Sequence, residues 1–418
     1  MLERMGDMQG REVELDATNI AHGGISVARL DGRVVFVSDA IPGERVFARI
    51  TEDSKKSFWR AETVGVVEAS PHRRPHVWAE ASIDRDPAER AGGAEFGHID
   101  LPYQRVLKQQ VLREALQRFG GVDRDTVVEA LPGRTPEQSE DGSGWRTRVR
   151  LHVADDGTVG PYAARSHTVI PVADLPLAVD EIRELAPIHE KYDGPEAATI
   201  DVLAPSVGGP RLVIGTQAPS TIREQVGERE FQLDDGGFWQ VHTAAASTLS
   251  SAVVDAVDAQ LFDPKAANLD LYGGVGLFAA ALGDRFGSGL RITSVESDAR
   301  ATEHAAENLS DWLGAAFVTG RVEHWARSLA EVSAGEKARL AAATVVLDPP
   351  RAGAGKAVLE ALAAVRPSQL VYVACDPVAF ARDVGLLAGL GYSLAGLRAF
   401  DLFPNTHHVE AVGLLVRE

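Results

Sequence analysis

Short runs of alternating apolar and polar residues fill the chain from about residue 10 to residue 70. The run at 33–37, Arg-Val-Val-Phe-Val, is typical of them. Turn signals separate these runs, at Gly23-Gly24, Asp31-Gly32 and Pro42-Gly43. Alternation of this kind indicates strands with one buried face, and the dipeptides indicate turns. We therefore predict that residues 1–70 form a small β-barrel of the OB type.

The middle of the chain, residues 71–230, contains both the helical pattern of apolar residues and the alternating pattern of strands. An amphipathic helix is predicted at 103–119, and a second helix near 176–192. Residues 146–153 alternate, and Gly and Pro punctuate the stretch from 145 to 230, which favours a mostly antiparallel sheet. We interpret this region as a mixed α+β central domain.

From about residue 231 onward, apolar strands alternate with amphipathic helices. Strands are predicted at 268–272, 291–295, 344–347, 370–374, 394–400 and 410–416, and helices at 276–282, 298–309, 355–364 and 377–390. This alternation predicts an α/β domain, Rossmann-like, with a doubly wound and mostly parallel sheet over residues 231–418.

Composition narrows the class of protein. The 418 residues carry a net charge of -18 and a single cysteine. One cysteine excludes an internal disulfide and any cluster ligated by several cysteines. The first sixteen residues lack the apolar core of a signal peptide, and no apolar run is long enough to span a bilayer. We expect a cytoplasmic protein that does not associate with a membrane and has no obligate protein partner.

The acidic balance argues weakly against a generally basic nucleic-acid binder, but two local surfaces keep that function open. Residues 55–60, Lys-Lys-Ser-Phe-Trp-Arg, interleave cations and rings, which is the chemistry that binds single strands. The alternative is an exposed hairpin with a core Trp. The predicted strand at 146–153 would also line up Arg146, Arg148 and Arg150 on one face, for solvent or for phosphates.

The first βα turn of the C-terminal domain is rich in glycine. Gly274, Gly276 and Ala279 fit the dinucleotide fingerprint, and Glu296 ends the next strand, where an acid binds ribose hydroxyls. This spacing predicts a site for a nucleoside-containing cofactor. It does not separate NAD from S-adenosylmethionine.

Cys375 stands between the predicted strand at 370–374 and a helix that Asp376 and Pro377 are suited to begin. The dipole of a helix N-terminus lowers the pKa of a thiol, so Cys375 is a candidate nucleophile. The alternative is a small buried apolar residue.

Two carboxylates are further candidates. Asp348 and two prolines end the predicted strand at 344–347, at the edge where ligands bind in such sheets. Glu410 begins the last strand among apolar neighbours, and partial burial would raise its pKa and suit it as a general base. His407, His408 and Glu410 lack the helical spacing of a zinc site, so we predict no metal.

Several of these motifs together resemble the RNA (uracil-5-)-methyltransferase family, with the densest match after residue 231. They are Ile41-Pro42-Gly43-Glu44, Phe238-Trp239-Gln240-Val241-His242, Leu347-Asp348-Pro349-Pro350-Arg351-Ala352-Gly353, Cys375-Asp376-Pro377 with Ala381-Arg382-Asp383, and Phe403-Pro404 through Thr406, His408, Val409 and Glu410. The resemblance implies an N-terminal TRAM barrel that binds RNA, a central domain and a class I methyltransferase domain that uses S-adenosyl-L-methionine.

Carried over residue by residue, the resemblance implies that Cys375 is the nucleophile and Glu410 the base that removes the C5 proton. It implies cofactor-binding positions in addition to the loop glycines Gly274 and Gly276, namely Gln240, Tyr272, Glu296 and Asp348.

The chain also departs from the family. Many members hold a four-iron cluster through four cysteines, where this chain has Arg85, Ala91, Ala94 and, after the Ser166-His167 segment, Leu175. We therefore expect no iron–sulfur cluster. Gly273 replaces a usual Cys, Leu277 replaces a more polar residue and Asn405 replaces His or Gln, while the catalytic pair is intact.

The function expected from the sequence is methyl transfer to C5 of a uridine in ribosomal or transfer RNA, through a covalent adduct of Cys375 with C6. Three alternatives remain open at this point. They are methylation of cytosine C5, an RNA-binding protein with vestigial catalysis, and an NAD-linked oxidoreductase.

Overall fold

A computed structural model describes residues 8–194 and 199–418. Its first six strands are β1 (Glu12–Asp16), β2 (Asn19–Ala21), β3 (Ile25–Leu30), β4 (Arg33–Ser38), β5 (Arg45–Glu52) and β6 (Phe58–Glu68). They form one sheet in the order β1-β5-β6-β4-β3-β2, in which only β4 and β6 run parallel. The predicted all-β character of this region is confirmed. Trp59 is buried in its core beneath Arg33, so this ring is not available for stacking on a base.

The middle of the chain holds a smaller sheet and short helices. These elements are α1 (Leu101–Ala115), which continues into a π-helical turn at Leu116–Gly120, β7 (Val128–Ala130), α2 (Pro136–Asp141), β8 (Arg148–Val153), β9 (Val159–Gly160), α3 (Asp180–Leu185), β10 (Thr199–Leu203) and β11 (Arg211–Ile214). The antiparallel sheet has the order β11-β10-β8-β9.

Two expectations for this region are wrong. The helix predicted at 176–192 is only the six residues of α3. It ends early because Pro187 follows it. It begins late because the segment before it is extended, and the Leu177 carbonyl there accepts hydrogen bonds from the amides of Trp145 and Arg146. The strand predicted at 146–153 begins at Arg148, so Arg146 is not part of a regular strand face.

A hairpin and a large sheet make up the rest. The hairpin is β12 (Thr221–Val226) with β13 (Arg229–Asp234), and it is followed by α4 (Ala245–Ala256). The elements of the sheet region are β14 (Asn268–Leu271), α5 (Leu277–Phe286), β15 (Ile292–Glu296), α6 (Ala299–Asn308), β16 (Ala315–Thr319), α7 (Val322–Ser328), α8 (Ala334–Ala341), β17 (Thr344–Leu347), α9 (Gly355–Val365), β18 (Gln369–Ala374), α10 (Pro377–Gly389), β19 (Tyr392–Asp401) and β20 (Glu410–Arg417).

The large sheet is doubly wound, as predicted. Its order is β16-β15-β14-β17-β18-β20-β19-β7, with β16 to β18 parallel and β20 antiparallel to both of its neighbours. β7, from the middle of the chain, adds a parallel strand at the edge. Because this strand joins two regions, the predicted divisions at residues 70 and 230 stay predictions.

Helices cover both faces of this sheet, which explains the uninterrupted apolar runs of its central strands. Every residue of β17 and β18 is buried. Leu347 and Tyr372 belong to the apolar cluster on one face, and Val346, Val371 and Val373 belong to the cluster on the other. Burial on both faces strongly specifies the register of these strands.

The loop between β19 and β20 is tied to the middle of the chain through Asn405, which is buried and has a φ of 66°. Its Oδ1 accepts hydrogen bonds from Arg74 Nη2 and Gln104 Nε2 (3.0 Å). Its Nδ2 donates to the carbonyls of Asp141 (3.0 Å) and Gly142 (2.8 Å). Asparagine tolerates the left-handed backbone here, so both its conformation and its amide suit the position.

Within the described part of the chain, no helix has the length and apolar character that crossing a membrane requires.

We predict that Asn405→Ala lowers the free energy of unfolding by at least about 3 kcal/mol, since it leaves several buried polar groups without partners. Urea unfolding measures this. Asp31→Ala is the matched control, because Asp31 also has a positive φ, of 48°, but is exposed. A loss in Asn405→Ala no larger than that of Asp31→Ala would contradict the hydrogen-bonding role.

Candidate active site

The pairing of three strands brings Asp348, Cys375 and Glu410 to one edge of the large sheet. β17 and β18 are parallel with Leu347 opposite Tyr372, so Asp348 and Cys375 both follow at their carboxyl ends. β18 and β20 are antiparallel with Ala374 opposite Ala411. Cys375, which follows Ala374, is therefore a neighbour of Glu410, which precedes Ala411.

Cys375 is half-buried between β18 and α10. The next residue, Asp376, caps the helix: its Oδ1 accepts the amides of Val378 (3.0 Å) and Ala379 (2.8 Å). This confirms the predicted helix start.

The expected low thiol pKa is wrong for the protein without ligands. Burial and then the nearby carboxyls of Glu410 and Asp348 raise the pKa of Cys375 to about 12, and Arg351 opposes this rise. The helix N-terminus therefore does not by itself produce a thiolate. Burial of the sulfur, followed by the charges of the nearby acids, outweighs the effect of the helix dipole.

Both carboxyls have pKa values above the ordinary range. Burial, together with the charge of Asp348, raises the pKa of Glu410 well above its usual value, as predicted from its apolar neighbours. Burial and then the charge of Asp270 raise the pKa of Asp348 to about 7. Asp348 therefore binds or releases a proton near neutral pH, and a carboxyl with a raised pKa, such as Glu410, is a stronger base than an ordinary one, which suits acid–base chemistry.

The glycine loop after β14 bends through three residues with positive φ: Tyr272 at 64°, Gly274 at 53° and Gly276 at 90°. Glu296, at the end of β15, accepts the Gly274 amide at its Oε2 over 3.1 Å. This contact joins the ends of two neighbouring strands, and the predicted role of Glu296 in binding ribose hydroxyls stays a prediction.

Buried polar atoms around this loop lack partners. Within residues 8–194 and 199–418, no hydrogen bond reaches Asp270 Oδ1, Tyr272 Oη or Ser294 Oγ. Asp270 Oδ2 accepts the Ala279 amide over 3.2 Å, and burial is the main cause that raises the pKa of Asp270 to about 7. Unsatisfied polar groups beside a glycine loop fit a polar ligand that would complete their hydrogen bonds.

Gly273 leaves space that Ser294 fills. A Cβ at residue 273 would overlap with Ser294 Oγ and would lie 3.0 Å from Asp270 Oδ2. The departure from Cys at this position is therefore matched by the serine on the neighbouring strand.

The structure brings together seven of the eight predicted site residues at one edge of the sheet. These are Tyr272, Gly274, Gly276, Glu296, Asp348, Cys375 and Glu410. The eighth, Gln240, is half-buried in the segment before α4, and its part in this set stays a prediction.

Asp383 stabilises the loop that follows Asp348, a role the sequence did not reveal although Ala381-Arg382-Asp383 was part of the matching motif. The Asp383 side chain is fully buried and accepts the Tyr372 hydroxyl (2.6 Å) and the Ala354 amide (2.8 Å). Arg382 also binds this carboxylate, at 2.9 Å. The loop is thereby fixed to β18 and α10.

A small pocket beside Cys375 is lined in part by the N-terminal sheet. Its wall includes His22, Gly23 and Gly24 from the β2–β3 turn, together with Cys375 and Lys108. Lys108 is fully buried and binds the carboxylate of Asp401. No sequence signal linked the β2–β3 turn to the cysteine, because the two segments are distant along the chain.

Glu95, His407 and His408 lie near the same pocket, and their possible ligand atoms are within 4.8 Å of one another. Glu95 pairs with His407 through Nδ1. Burial, helped by the charge of His407, lowers the pKa of His408 to about 3. Arg351 Nη2 lies 3.4 Å from His408 Nε2, and this cation would repel a metal ion. The contacts favour a hydrogen-bonded group, and the absence of a metal stays a prediction.

The strand order, the glycine loop and the strand-end cluster define a class I methyltransferase domain, which confirms the predicted fold class. Residues 220–418 match the family described as tRNA (Uracil-5-)-methyltransferase, and residues 6–62 match the TRAM domain.

Curated relatives extend the match to nearly the whole chain. An uncharacterized RNA methyltransferase of Streptomyces avermitilis is 36% identical, over 97% of this chain and 98% of the relative. Another from Streptomyces coelicolor is 35% identical, over 97% of this chain and 93% of the relative. The protein therefore belongs to the tRNA (uracil-5-)-methyltransferase family of RNA methyltransferases. Membership of this family excludes the alternative that the protein is an NAD-linked oxidoreductase.

A solved structure has the same fold. The tRNA (uracil-54, C5)-methyltransferase of Pyrococcus abyssi, in complex with S-adenosyl-L-homocysteine, aligns with a TM-score of 0.68 at 22% identity. The alignment covers 97% of this chain and all of that one.

We predict that Gly273→Ala lowers stability by about 1–3 kcal/mol through overpacking. Ser294→Ala in the same chain restores part of the loss, because it removes the oxygen that the new methyl group would meet. Thermal unfolding of the single and double variants measures this coupling. Gly320→Ala is the control, since a Cβ there would meet nothing within 4 Å. Additive effects of the two substitutions would contradict the proposed fit.

Proposed function

We propose that this protein transfers a methyl group from S-adenosyl-L-methionine to C5 of a uridine in RNA, through a covalent adduct between Cys375 and C6. The observation that carries the proposal is the pairing of β18 with β20, which makes Cys375 and Glu410 neighbours at the ligand-binding edge of the sheet. A thiol and a carboxyl side by side are what this reaction needs.

The chemistry explains why both groups are needed. Uracil C5 is a weak nucleophile, but addition of a thiolate to C6 forms a carbon–sulfur bond and makes C5 an enolate carbon. After C5 has gained the methyl group, a base takes the C5 proton, the C5–C6 double bond re-forms and the thiolate leaves. In this proposal Cys375 adds to C6 and Glu410 accepts the proton.

The raised pKa of Glu410 supports its role as base. A carboxylate with an ordinary pKa is too weak a base to accept a proton efficiently at neutral pH, and burial strengthens it. The raised pKa of Cys375 has the opposite effect, since the thiol is protonated in the ligand-free protein. The proton on sulfur must therefore leave when RNA and cofactor fill the site.

The cofactor supplies an electrophilic methyl group on a sulfonium. We propose that Gly274 and Gly276 line its site, with Gln240, Tyr272, Glu296 and Asp348 as further binding residues. The orphaned Tyr272 hydroxyl and the carboxylate of Glu296 offer hydrogen bonds to its polar groups. The Pyrococcus abyssi relative, which shares the fold, is in complex with the demethylated cofactor.

Many family members have cysteine ligands of an iron–sulfur cluster at four positions. The side chains that this chain has at those positions are not ligands for iron, so they do not fit such a cluster. Ala91, Ala94 and Leu175 belong to one buried apolar group with Trp145 and Leu151. We propose that this apolar packing stabilises the central region in place of the cluster.

The RNA would lie along a groove of about 570 Å³ between the N-terminal sheet and the middle region. Arg90, Arg150, Arg165 and Tyr162 line it, and the groove reaches His407 near the catalytic pair. Arg165 and Arg150 already pair with Glu62 and Asp201, so phosphates would compete with these acids. The target base must leave its stack to reach Cys375.

The substrate is ribosomal or transfer RNA in this proposal. Mass spectrometry of nucleosides from a deletion strain and its parent identifies the modified RNA. Loss of 5-methyluridine supports the proposal, and loss of 5-methylcytidine instead would assign the alternative pyrimidine. Unchanged nucleosides would support an RNA-binding protein with vestigial catalysis.

We predict that Cys375→Ala abolishes methyl transfer while its affinity for S-adenosyl-L-methionine is unchanged. The reason is that the sulfur is needed for the C6 bond and not for cofactor contacts. Transfer of tritiated methyl groups to RNA measures the first effect, and calorimetry measures the second. Full turnover by Cys375→Ala would overturn the nucleophile assignment.

We predict that Glu410→Gln accumulates a covalent protein–RNA adduct, because the methylated intermediate keeps its C5 proton. Denaturing gels with labelled RNA and cofactor measure the adduct. Glu224→Gln is the matched control, since Glu224 is also buried with a raised pKa but lies on β12, away from the strand-end cluster. Equal adduct levels in both variants, or none in Glu410→Gln, would refute the base role.

A further inference from the structure

The turn between β2 and β3 of the TRAM domain contacts the residue next to the proposed nucleophile. His22 Nε2 lies 3.2 Å from Asp376 Oδ2. The turn is closely docked at this point, because a Cβ on Gly24 would lie 2.6 Å from His407 Cβ and 2.9 Å from Phe96. Only glycine fits this approach, and Gly24 also has a φ of 72°.

Asp376 makes a different contact with each oxygen. Its Oδ1 caps α10 through the amides of Val378 and Ala379, and its Oδ2 faces His22. Burial disfavours the charge on Asp376, but the hydrogen bonds from His22 and these amides lower its pKa overall. The hydrogen bond to Asp376 is the main cause that raises the pKa of His22. Both pKa shifts therefore favour the state in which the pair carries opposite charges.

The other charged groups near the turn are already paired. The His407 ring lies 6.4 Å from the His22 ring, edge to face, and His407 binds Glu95. Lys108 binds Asp401, and His408 lies beside Arg351. In the part of the chain that the structure describes, the cation that pairs with Asp376 is His22.

We propose that His22 is a positioning residue for the nucleophile: it neutralises the carboxylate of Asp376 and so lets the adjacent Cys375 ionise. Without His22, a negative charge one residue from the sulfur would have no cationic partner, and a nearby like charge disfavours a thiolate. The proposal rests on Cys375 being the nucleophile. It makes docking of the TRAM domain part of the active site and not only a grip on RNA.

The single cysteine makes a direct test possible, because alkylation of the full-length protein reports on Cys375 alone. The rate constant with iodoacetamide, measured between pH 7 and 9 without RNA or cofactor, is proportional to the thiolate fraction. We expect His22→Gln to slow alkylation roughly tenfold where His22 is protonated in the unsubstituted protein, since one pKa unit changes the thiolate fraction tenfold. The difference should shrink as the pH rises and His22 loses its proton.

Asp376→Asn separates charge from access. Asparagine keeps the helix cap but has no charge to neutralise, so His22→Gln is expected to have no effect in the Asp376→Asn background. A change in access to the pocket would persist in both backgrounds. His72→Gln is the matched control, since His72 also binds an aspartate, Asp100 at 2.7 Å, but does not line this pocket.

The proposal is overturned if His22→Gln alkylates like the unsubstituted protein and the His72→Gln control, or if it is slowed equally with and without Asp376. These outcomes are distinct from failure of the proposed function. A missing RNA adduct in Glu410→Gln would overturn the methylation mechanism, whereas an unchanged alkylation rate would overturn only the role of His22.

Discussion

The active-site geometry depends on the register of one antiparallel strand in an otherwise parallel sheet. β20 enters between β18 and β19, and its pairing sets Ala411 opposite Ala374. A shift of one residue would exchange the side chains that β20 presents to the two faces of the sheet and would move Glu410 away from Cys375. Because β18 is buried throughout, the fold itself keeps Cys375 and Glu410 next to each other.

Burial at this edge has an electrostatic consequence. Asp270, Asp348 and Glu410 have raised pKa values, and the thiol between them also holds its proton. Burial thus disfavours charge at this site in the ligand-free protein. Since the helix dipole is not enough to stabilise the Cys375 thiolate, bound substrate and nearby cations must do so. This need is consistent with the role proposed for the His22–Asp376 ion pair.

The sequence predicted the large sheet well, because its central strands are continuous apolar runs bounded by Gly, Asp and Pro. β17 was predicted to the residue, and α10 began at the predicted proline. β16, α7 and α8 were not predicted. β16 is partly exposed, and its pattern lacks the buried run that distinguishes its neighbours. The helix predicted at 176–192 was too long. The apolar residues before Asp180 fit a helical period, but the structure has an extended segment there.

The candidate site was only partly predictable. Cys375, Asp348 and Glu410 each stand at a strand end, so local patterns suffice to locate them. His22 lines the pocket beside Cys375, and Glu95 contacts His407 in the wall of that pocket. Both residues come from other segments of the chain, and such contacts have no local signal. The sign of the thiol's pKa shift was wrong for a related reason, because burial of Cys375 raises its pKa first and carboxyls from other segments raise it further, and neither effect has a local signal in the sequence.

RNA containing 5-fluorouridine can trap the proposed covalent bond between Cys375 and C6. Fluorine at C5 cannot be removed as a proton is, so the carbon–sulfur bond should persist after methyl transfer. Incubation of the protein with S-adenosyl-L-methionine and fluorinated ribosomal and transfer RNA transcripts, followed by digestion and mass spectrometry, locates the linkage. The account predicts a methylated fluorouracil attached to Cys375. An attachment to another residue, or methylated RNA released without any attachment, would contradict it.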